Sequence, residues 1–322
     1  MKILVTGVNG QLGFDVVKQL NKRGHEAVGV DISEMDITDA ESVLNVFARV
    51  RPEAVVHCAA WTAVDAAEDN AEKARAVNVG GTENIAVACR KCGAKMVYIS
   101  TDYVFDGSGA QPWKTDDKAN PLGVYGKTKY DGEKAVKNLL DRYFIVRTAW
   151  VFGLNGNNFV KTMLNLGKKY NQLRVVNDQI GSPTYTYDLA VLLADMVVTE
   201  KYGVYHATNG GFISWYDFAV EIFKQAGYAT DVVLKMQAAQ YALRAHRLVV
   251  LNEIHVKPGF FHIALVVSFH EVAAAVAVNC GLYDVKTLYG RFFNLNLPHI
   301  LSPLSNVPAR PSSREAWKSR SR

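Results

Sequence analysis

The sequence predicts a doubly wound α/β fold: a parallel sheet covered by helices on both faces, with a smaller C-terminal lobe. Strand-like and helix-like segments alternate from residue 2 to residue 150. The strands are continuous apolar runs without polar alternation, as expected where both faces of a sheet are buried. A glycine triplet sits between the first strand and the first helix, at Gly7, Gly10 and Gly13.

The elements follow in order. KILVTG (2–7) is the first strand, and a helical stretch near 11–23 follows it. EAVGVD (26–31) is next, then a helix near 39–50 and the strand AVVHCAA (54–60). A helix over about 70–92 leads to KMVYIS (95–100), and another near 125–141 leads to YFIVRTAW (143–150). Beyond residue 150 the rhythm changes. Loops such as GLNGNN (153–158) and DQIGSPT (178–184) separate shorter elements, with helices near 158–170, 186–199 and 215–226. The division expected is a Rossmann domain over 1–150, a substrate-binding lobe over 151–233 and an atypical terminal part over 234–322. No internal repeat is visible.

At 322 residues the chain is long enough for one large or two modest domains. Its 49% hydrophobic and 21% charged residues are ordinary for a soluble protein. The net charge of +5 is unevenly placed: residues 234–322 carry +7 and the body −2. The body therefore lacks the basic footprint of a nucleic-acid binder. The strand-like start leads us to expect no signal peptide, and four cysteines suit a reducing cytoplasm. Cys89 and Cys92 form a C-x-x-C at the end of a helical pattern. No second ligand pair follows, so they read as reduced helix cysteines and no metal is expected.

The glycine turn points to a dinucleotide. In VTGVNGQLG the three glycines let the backbone turn tightly and approach a pyrophosphate at the helix N-terminus. Asp31 ends the second strand 18 residues after Gly13, where an acid can hydrogen-bond the adenosine ribose. A carboxylate there repels a 2′-phosphate and favours NADH over NADPH.

The second motif lies at the fourth strand's carboxyl end, where YISTDYVFDG presents Ser100, Thr101, Asp102 and Tyr103. GVYGKTKYDGEK then holds Tyr-x-x-x-Lys twice, as Tyr125 with Lys129 and Tyr130 with Lys134. Residues four apart share a helix face, so either lysine could sit beside a phenol and lower its pKa. Spacing alone does not choose between the pairs. With Thr101 bonding a substrate carbonyl, Tyr125 would donate the proton and Lys129 would hold the nicotinamide ribose.

At these residues the chain resembles the extended short-chain dehydrogenase/reductases, and within them the dTDP-4-dehydrorhamnose reductases. TGVNGQLG, VDISEMDITD, VVHCAAWTAVDAAE, AVNVGGTENIA, ISTDYVFDG, NPLGVYGKTKYDGEK, IVRTAWVFG, GNNFVKTM, DQIGSPTYTYDLA and ISWYDFAVEIF carry the likeness to about residue 230. The resemblance assigns the catalytic pair to Tyr125 and Lys129 and leaves Tyr130 and Lys134 exposed further along the helix. It implies cofactor contacts from Asn9, Gly10, Gln11, Leu12, Asp31, Asp36, Ile37, Ala60, Trp61 and Thr62. It implies dTDP-sugar contacts from Thr101, Asp102 and Trp150, with Tyr103 as a further candidate. Asp36 and Asp65 also read as helix-cap or turn residues, and Trp150 and Tyr103 as aromatic core.

The activity implied is reduction of dTDP-4-dehydro-L-rhamnose by NADPH or NADH, with a homodimer allowed for. Another nucleotide-sugar epimerase or dehydratase, or a non-catalytic cofactor-binding subunit, are the alternatives. Asp102 is the only acid in the Thr101 cluster, which weighs against the first. After about Val233 the family's nucleotide-packing Arg-Pro element has no clear counterpart; PARPSSR (308–314) resembles it faintly. The apolar run 263–282 carries His270 and Glu271 at its middle, which argues against a membrane span, and the last residues read as a basic tail.

Overall fold

The computed structural model describes residues 1–108 and 111–240. The apolar run 263–282 and the basic tail lie outside the described residues. In the first half, β1 (Lys2–Thr6), α1 (Gln11–Lys22), β2 (Glu26–Val30), α2 (Ala40–Val50) and β3 (Ala54–His57) alternate as the apolar runs require. The helix expected over about 70–92 runs without interruption from 71 to 92, with a short separate helix ahead of it. The short helix is α3 (Val64–Asp69); the longer one consists of α4 (Ala71–Arg75), a π-helical turn over Ala76–Gly81 and α5 (Thr82–Cys92). Inside the π turn Asn78 directs its amide sideways to Trp61 and Thr128, a use of the side chain considered below. Next come β4 (Lys95–Thr101), a 3₁₀ turn over Asp102–Val104, α6 (Val124–Leu139) and β5 (Tyr143–Thr148).

The second half holds β6 (Val151–Phe152), α7 (Phe159–Gly167), β7 (Leu173–Val176), β8 (Ile180–Gly181) and β9 (Thr184–Tyr185). They are followed by α8 (Thr186–Met196), β10 (Gly203–His206), β11 (Ile213–Ser214), α9 (Trp215–Gln225) and β12 (Val233–Met236). The main sheet is parallel throughout, in the order β10-β5-β4-β3-β1-β2. The order reverses beside β1, and ligands of such sheets bind outside the carboxyl ends at that point.

Two apolar layers cover the sheet. On one side α1 contributes Leu12, Val16 and Leu20, spaced four apart, which meet Leu189 and Leu193 of α8 and the inward residues Ile3 and Val5. On the other side α2, α5 and α6 supply Phe47, Ile85 and Val136 against Leu4, Val55 and Ile145. Each fully buried side chain of this size contributes about 1.5–3 kcal/mol. Residues 186–206 thus return from the second half to the sheet, α8 packing on α1 and β10 pairing with β5. The remaining lobe has its own apolar cluster around Phe152, Met163, Phe218, Ile222 and Phe223. Among the described residues no helix is long and apolar enough to cross a membrane. Cys89 is buried and Cys92 exposed at the end of α5, and the Cys92 thiol donates to the Cys89 carbonyl.

Candidate active site

A cavity of about 1120 Å³ opens at the carboxyl ends of β1, β3, β4 and β5. Its floor is the glycine turn. Gly7 has φ +69°, and a Cβ there would stand 2.8 Å from the Ala59 backbone. A Cβ on Gly13 would stand 2.3 Å from the Gly7 carbonyl oxygen. Only glycine permits this approach. Gly10 is the N-cap of α1 and no side chain caps the helix, so its first N–H groups stay available to an anion. Asn9, Gly10, Gln11 and Leu12 line the cavity above this turn.

Asp31 stands at the rim. Its Oδ2 accepts from the Asn9 N–H at 2.9 Å and its Oδ1 from the Ile32 N–H at 2.8 Å, which fixes the carboxylate in place. Glu34, not singled out by the sequence motifs, accepts from the Asp31 N–H at 2.9 Å. Hydrogen bonds from Ser33 and then from Asp31 hold the Glu34 carboxyl below its ordinary value. Asp36 also lines the cavity, beside Ile37, and closes a turn by accepting from the Thr38 N–H at 2.9 Å and its hydroxyl at 2.7 Å. Asp65 lies in the first turn of α3.

Ala60, Trp61 and Thr62 follow β3 and form the opposite wall. Their loop is held by Asn78, whose Oδ1 accepts from the Trp61 N–H at 2.8 Å. The Asn78 amide donates to the Trp61 carbonyl at 3.2 Å and to Thr128 Oγ1 at 3.0 Å. Sequence reasoning missed this bracket between the cofactor loop and α6. The signal available was a lone asparagine within AVNVGG, in a stretch otherwise apolar or small.

The catalytic end is set by α6. A Cβ on Gly126 would fall 2.2 Å from the Tyr103 carbonyl oxygen, so the helix presses directly on the turn after β4. That contact places Tyr125 beside Thr101. The Thr101 hydroxyl donates to Asp102 Oδ1 at 2.8 Å, accepts from the Tyr103 N–H at 3.2 Å, and hydrogen-bonds the Tyr125 phenol. Tyr103 packs edge-on against Tyr125, with ring centroids 5.5 Å apart. Lys129 is 3% exposed, and its Nζ lies 4.2 Å above the Tyr98 ring.

Electrostatics here departs from the expectation that Lys129 acidifies its neighbour. The Tyr125 phenol is pushed above its ordinary value, by burial first and by Asp102 second, with the Thr101 hydrogen bond opposing. Lys129 itself is pulled down to about 7 by burial, against the fields of Glu133 and Cys58. Desolvation of both groups dominates here. Burial also raises Asp102 to about 7, opposed by its bond from Thr101. A folded-state pKa above the unfolded value adds stability at low pH that is lost as pH rises through about 7. Asp102→Asn should therefore be more stable than the wild type at pH ~8 by a few degrees of Tm, and the gain should vanish near pH ~4. Thermal scans at the two pH values check this.

Tyr130, expected exposed, is half-buried and packs with Val104, Phe105 and Ala149. Lys134 is exposed above its ring and pairs with Asp131. The physical reason is that the 3₁₀ turn folds over α6 one turn beyond Tyr125. Trp150 lines the cavity with a left-handed φ of +47° and stacks on Trp215 at 3.5 Å. From the second lobe, the Asn155 amide donates to the carbonyls of Asn9 (2.8 Å) and Gly10 (3.0 Å), and Asn158 donates to Gln11 Oε1 (3.1 Å). Every site residue expected from the sequence lines this one cavity. Among the described residues no cluster of three or more His, Cys, Asp or Glu is placed to hold a metal ion.

The family described as RmlD substrate binding domain matches residues 1–250, more than three quarters of the chain. The chain is a member of this RmlD family. The match runs past Val233, after which no likeness was expected. A relative from Bacillus subtilis, named spore coat polysaccharide biosynthesis protein SpsK, is 39% identical over 82% of this chain and 95% of its own length. A dTDP-4-dehydrorhamnose reductase from Aggregatibacter actinomycetemcomitans is 43% identical over 70% of this chain and 79% of its own. A dTDP-4-keto-6-deoxy-D-glucose reductase from Streptomyces niveus is 42% identical over 70% and 78%. Among solved structures, a dTDP-4-dehydrorhamnose reductase from Bacillus anthracis in complex with NADP aligns with TM-score 0.76. It is 42% identical, covering 79% of this chain and 91% of that one. The RmlD-family fold accounts for the six-stranded parallel sheet with small accessory sheets described above.

Proposed function

We propose that this RmlD-family chain reduces the 4-keto group of dTDP-4-dehydro-β-L-rhamnose to give dTDP-β-L-rhamnose, a surface-polysaccharide precursor, with NADPH or NADH. The observation that carries the reading is the meeting of Thr101, Tyr125 and Lys129 in the cavity whose floor is the glycine turn. The residues fit a dinucleotide: a glycine floor, an uncapped helix N-terminus and a fixed carboxylate at the ribose position. When bound, the nicotinamide supplies the hydride. Thr101 and Tyr125 bind the carbonyl oxygen, and Tyr125 gives it a proton as negative charge develops there. Its elevated pKa keeps the phenol protonated at neutral pH, the state a donor needs. Lys129 holds the ribose and faces the developing phenolate. Trp150, held by its stack on Trp215, offers a flat wall to the nucleotide sugar.

The test is loss of reduced-nicotinamide absorbance with the purified chain and dTDP-4-dehydro-L-rhamnose, beside an arm with dTDP-4-keto-6-deoxy-D-glucose. Turnover of the first sugar at the higher kcat/KM is expected. Preference for the second reassigns the substrate. Cofactor binding without either turnover favours a non-catalytic subunit, and epimerised product favours an epimerase. Cofactor choice has its own prediction. Asp31 lines the ribose end, so Asp31→Ala should move the ratio of kcat/KM values roughly tenfold toward NADPH, about the worth of one charged hydrogen bond. An unchanged ratio would mean that Asp31 does not meet the ribose.

A further inference from the structure

Behind Thr101 and Lys129 lies a buried ion pair that the reaction as described leaves unused. Glu133 is fully buried one turn beyond Lys129, on the same face of α6. Its Oε1 accepts from Arg147 Nε at 2.8 Å and from Ser100 Oγ at 2.6 Å, and its Oε2 accepts from Arg147 Nη2 at 2.7 Å. Arg147 is itself 2% exposed, and it also donates to the Thr115 carbonyl at 3.2 Å. Ser100 and Thr101 of β4 stand in register with Arg147 and Thr148 of β5. One carboxylate therefore ties together the helix carrying Tyr125 and Lys129, the strand carrying Thr101 and the strand leading to Trp150.

Stability alone is a poor account of such a pair, because an apolar pair of similar volume commonly serves a core as well or better. Its position relative to Lys129 suggests another. Facing the ammonium are Glu133 from α6, His57 and Cys58 from β3 and its end, and the Tyr98 ring from β4, with Tyr125 one turn earlier on α6. Asp102 acts on Tyr125 from the turn after β4. Burial holds His57 neutral, down to about 3, and Cys58 protonated, up to about 12. Burial likewise keeps the Tyr98 phenol protonated. Of the groups facing the ammonium, Glu133 is the one bound to a buried guanidinium, that of Arg147.

We propose that Glu133 is a positioning residue for the reductase chemistry. Its carboxylate locks β4, β5 and α6 so that Thr101 and Tyr125 face one carbonyl, and it sets a negative charge one turn behind the Lys129 ammonium. This rests on the reductase reading above, so the first readout needs no sugar. The NADH dissociation constant is measured against pH by energy transfer from protein tryptophan, for the wild type, Glu133→Gln and the pair Glu133→Gln/Arg147→Met. The pair removes both charges, so no guanidinium is left buried alone. In both variants Lys129 loses its proton earlier, and the alkaline limb of binding moves down by about one pH unit. Ser100→Ala cuts only the tie to β4. It lowers kcat for the ketosugar by about tenfold, roughly one hydrogen bond's worth of alignment, with NADH affinity unchanged.

A limb at the wild-type pH in whichever charge variant folds, with only Tm lowered, overturns the proposal. Wild-type kcat in Ser100→Ala overturns the clamp, and decides alone where neither charge variant folds. A wild-type chain that shows the binding limb but turns over no dTDP-ketosugar sinks the substrate reading and leaves Glu133 to be judged on binding.

Discussion

Tyr125→Phe should lower kcat by about 10²–10⁴-fold, the range over which a positioned general acid acts. The hydroxyl is the proton donor and hydrogen-bonds Thr101, whereas the ring's edge-on packing with Tyr103 survives in phenylalanine. NADH binding should stay within about twofold of wild type, because the glycine turn and Asp31 are untouched. Tyr130→Phe is the control. Tyr130 packs through its ring with Phe105 and Ala149, so the change should leave both kcat and fold in place. Steady-state kinetics of the two variants, with NADH titrations beside them, are decisive. Equal losses in both would move the proton donor elsewhere.

Gly13→Ala should cost NADH affinity about a hundredfold or more, near 2.7 kcal/mol, while leaving the far lobe folded. The added methyl would meet the Gly7 carbonyl oxygen at 2.3 Å, its carbon at 2.8 Å and Val8 Cα at 3.0 Å. All three are backbone atoms and cannot rotate aside. The turn must open, and its N–H groups lose their aim at the pyrophosphate. Gly24→Ala is the comparison. Its φ of +77° makes alanine strained, but nothing stands within 4 Å of the new methyl, so Tm should fall slightly with cofactor affinity unchanged. Binding isotherms for both variants test the difference. Comparable loss in each would mean that the glycine turn takes no part in cofactor binding.

Much of this was legible in the sequence because it is local. A glycine turn after an apolar strand, an acid at the end of the next strand and a hydroxyl at the end of the fourth are all read along one chain direction. Their convergence follows from parallel strands, whose carboxyl ends share one edge. What stayed illegible depended on partners distant in sequence. Asn78, buried within the π turn, reaches Trp61 17 residues away and Thr128 50 residues away. Asn155 closes on Asn9 across 146 residues.

The sequence by itself thus determined the fold class, the family and a set of expected site residues, all of which line the cavity. Continuous apolar runs require a sheet covered on both faces, and motifs carry their chemistry in their spacing. Only the tertiary structure decided how those residues stand electrostatically. Burial, not pairing, governs Tyr125, Lys129 and Asp102, and desolvation depends on everything packed around a group. It likewise decided that α8 and β10 return to complete the sheet, that Tyr130 is half-buried, and that Glu133 of α6 meets Arg147 of β5 in the interior. No run of neighbouring residues encodes these outcomes, because each is set by atoms contributed from several elements at once.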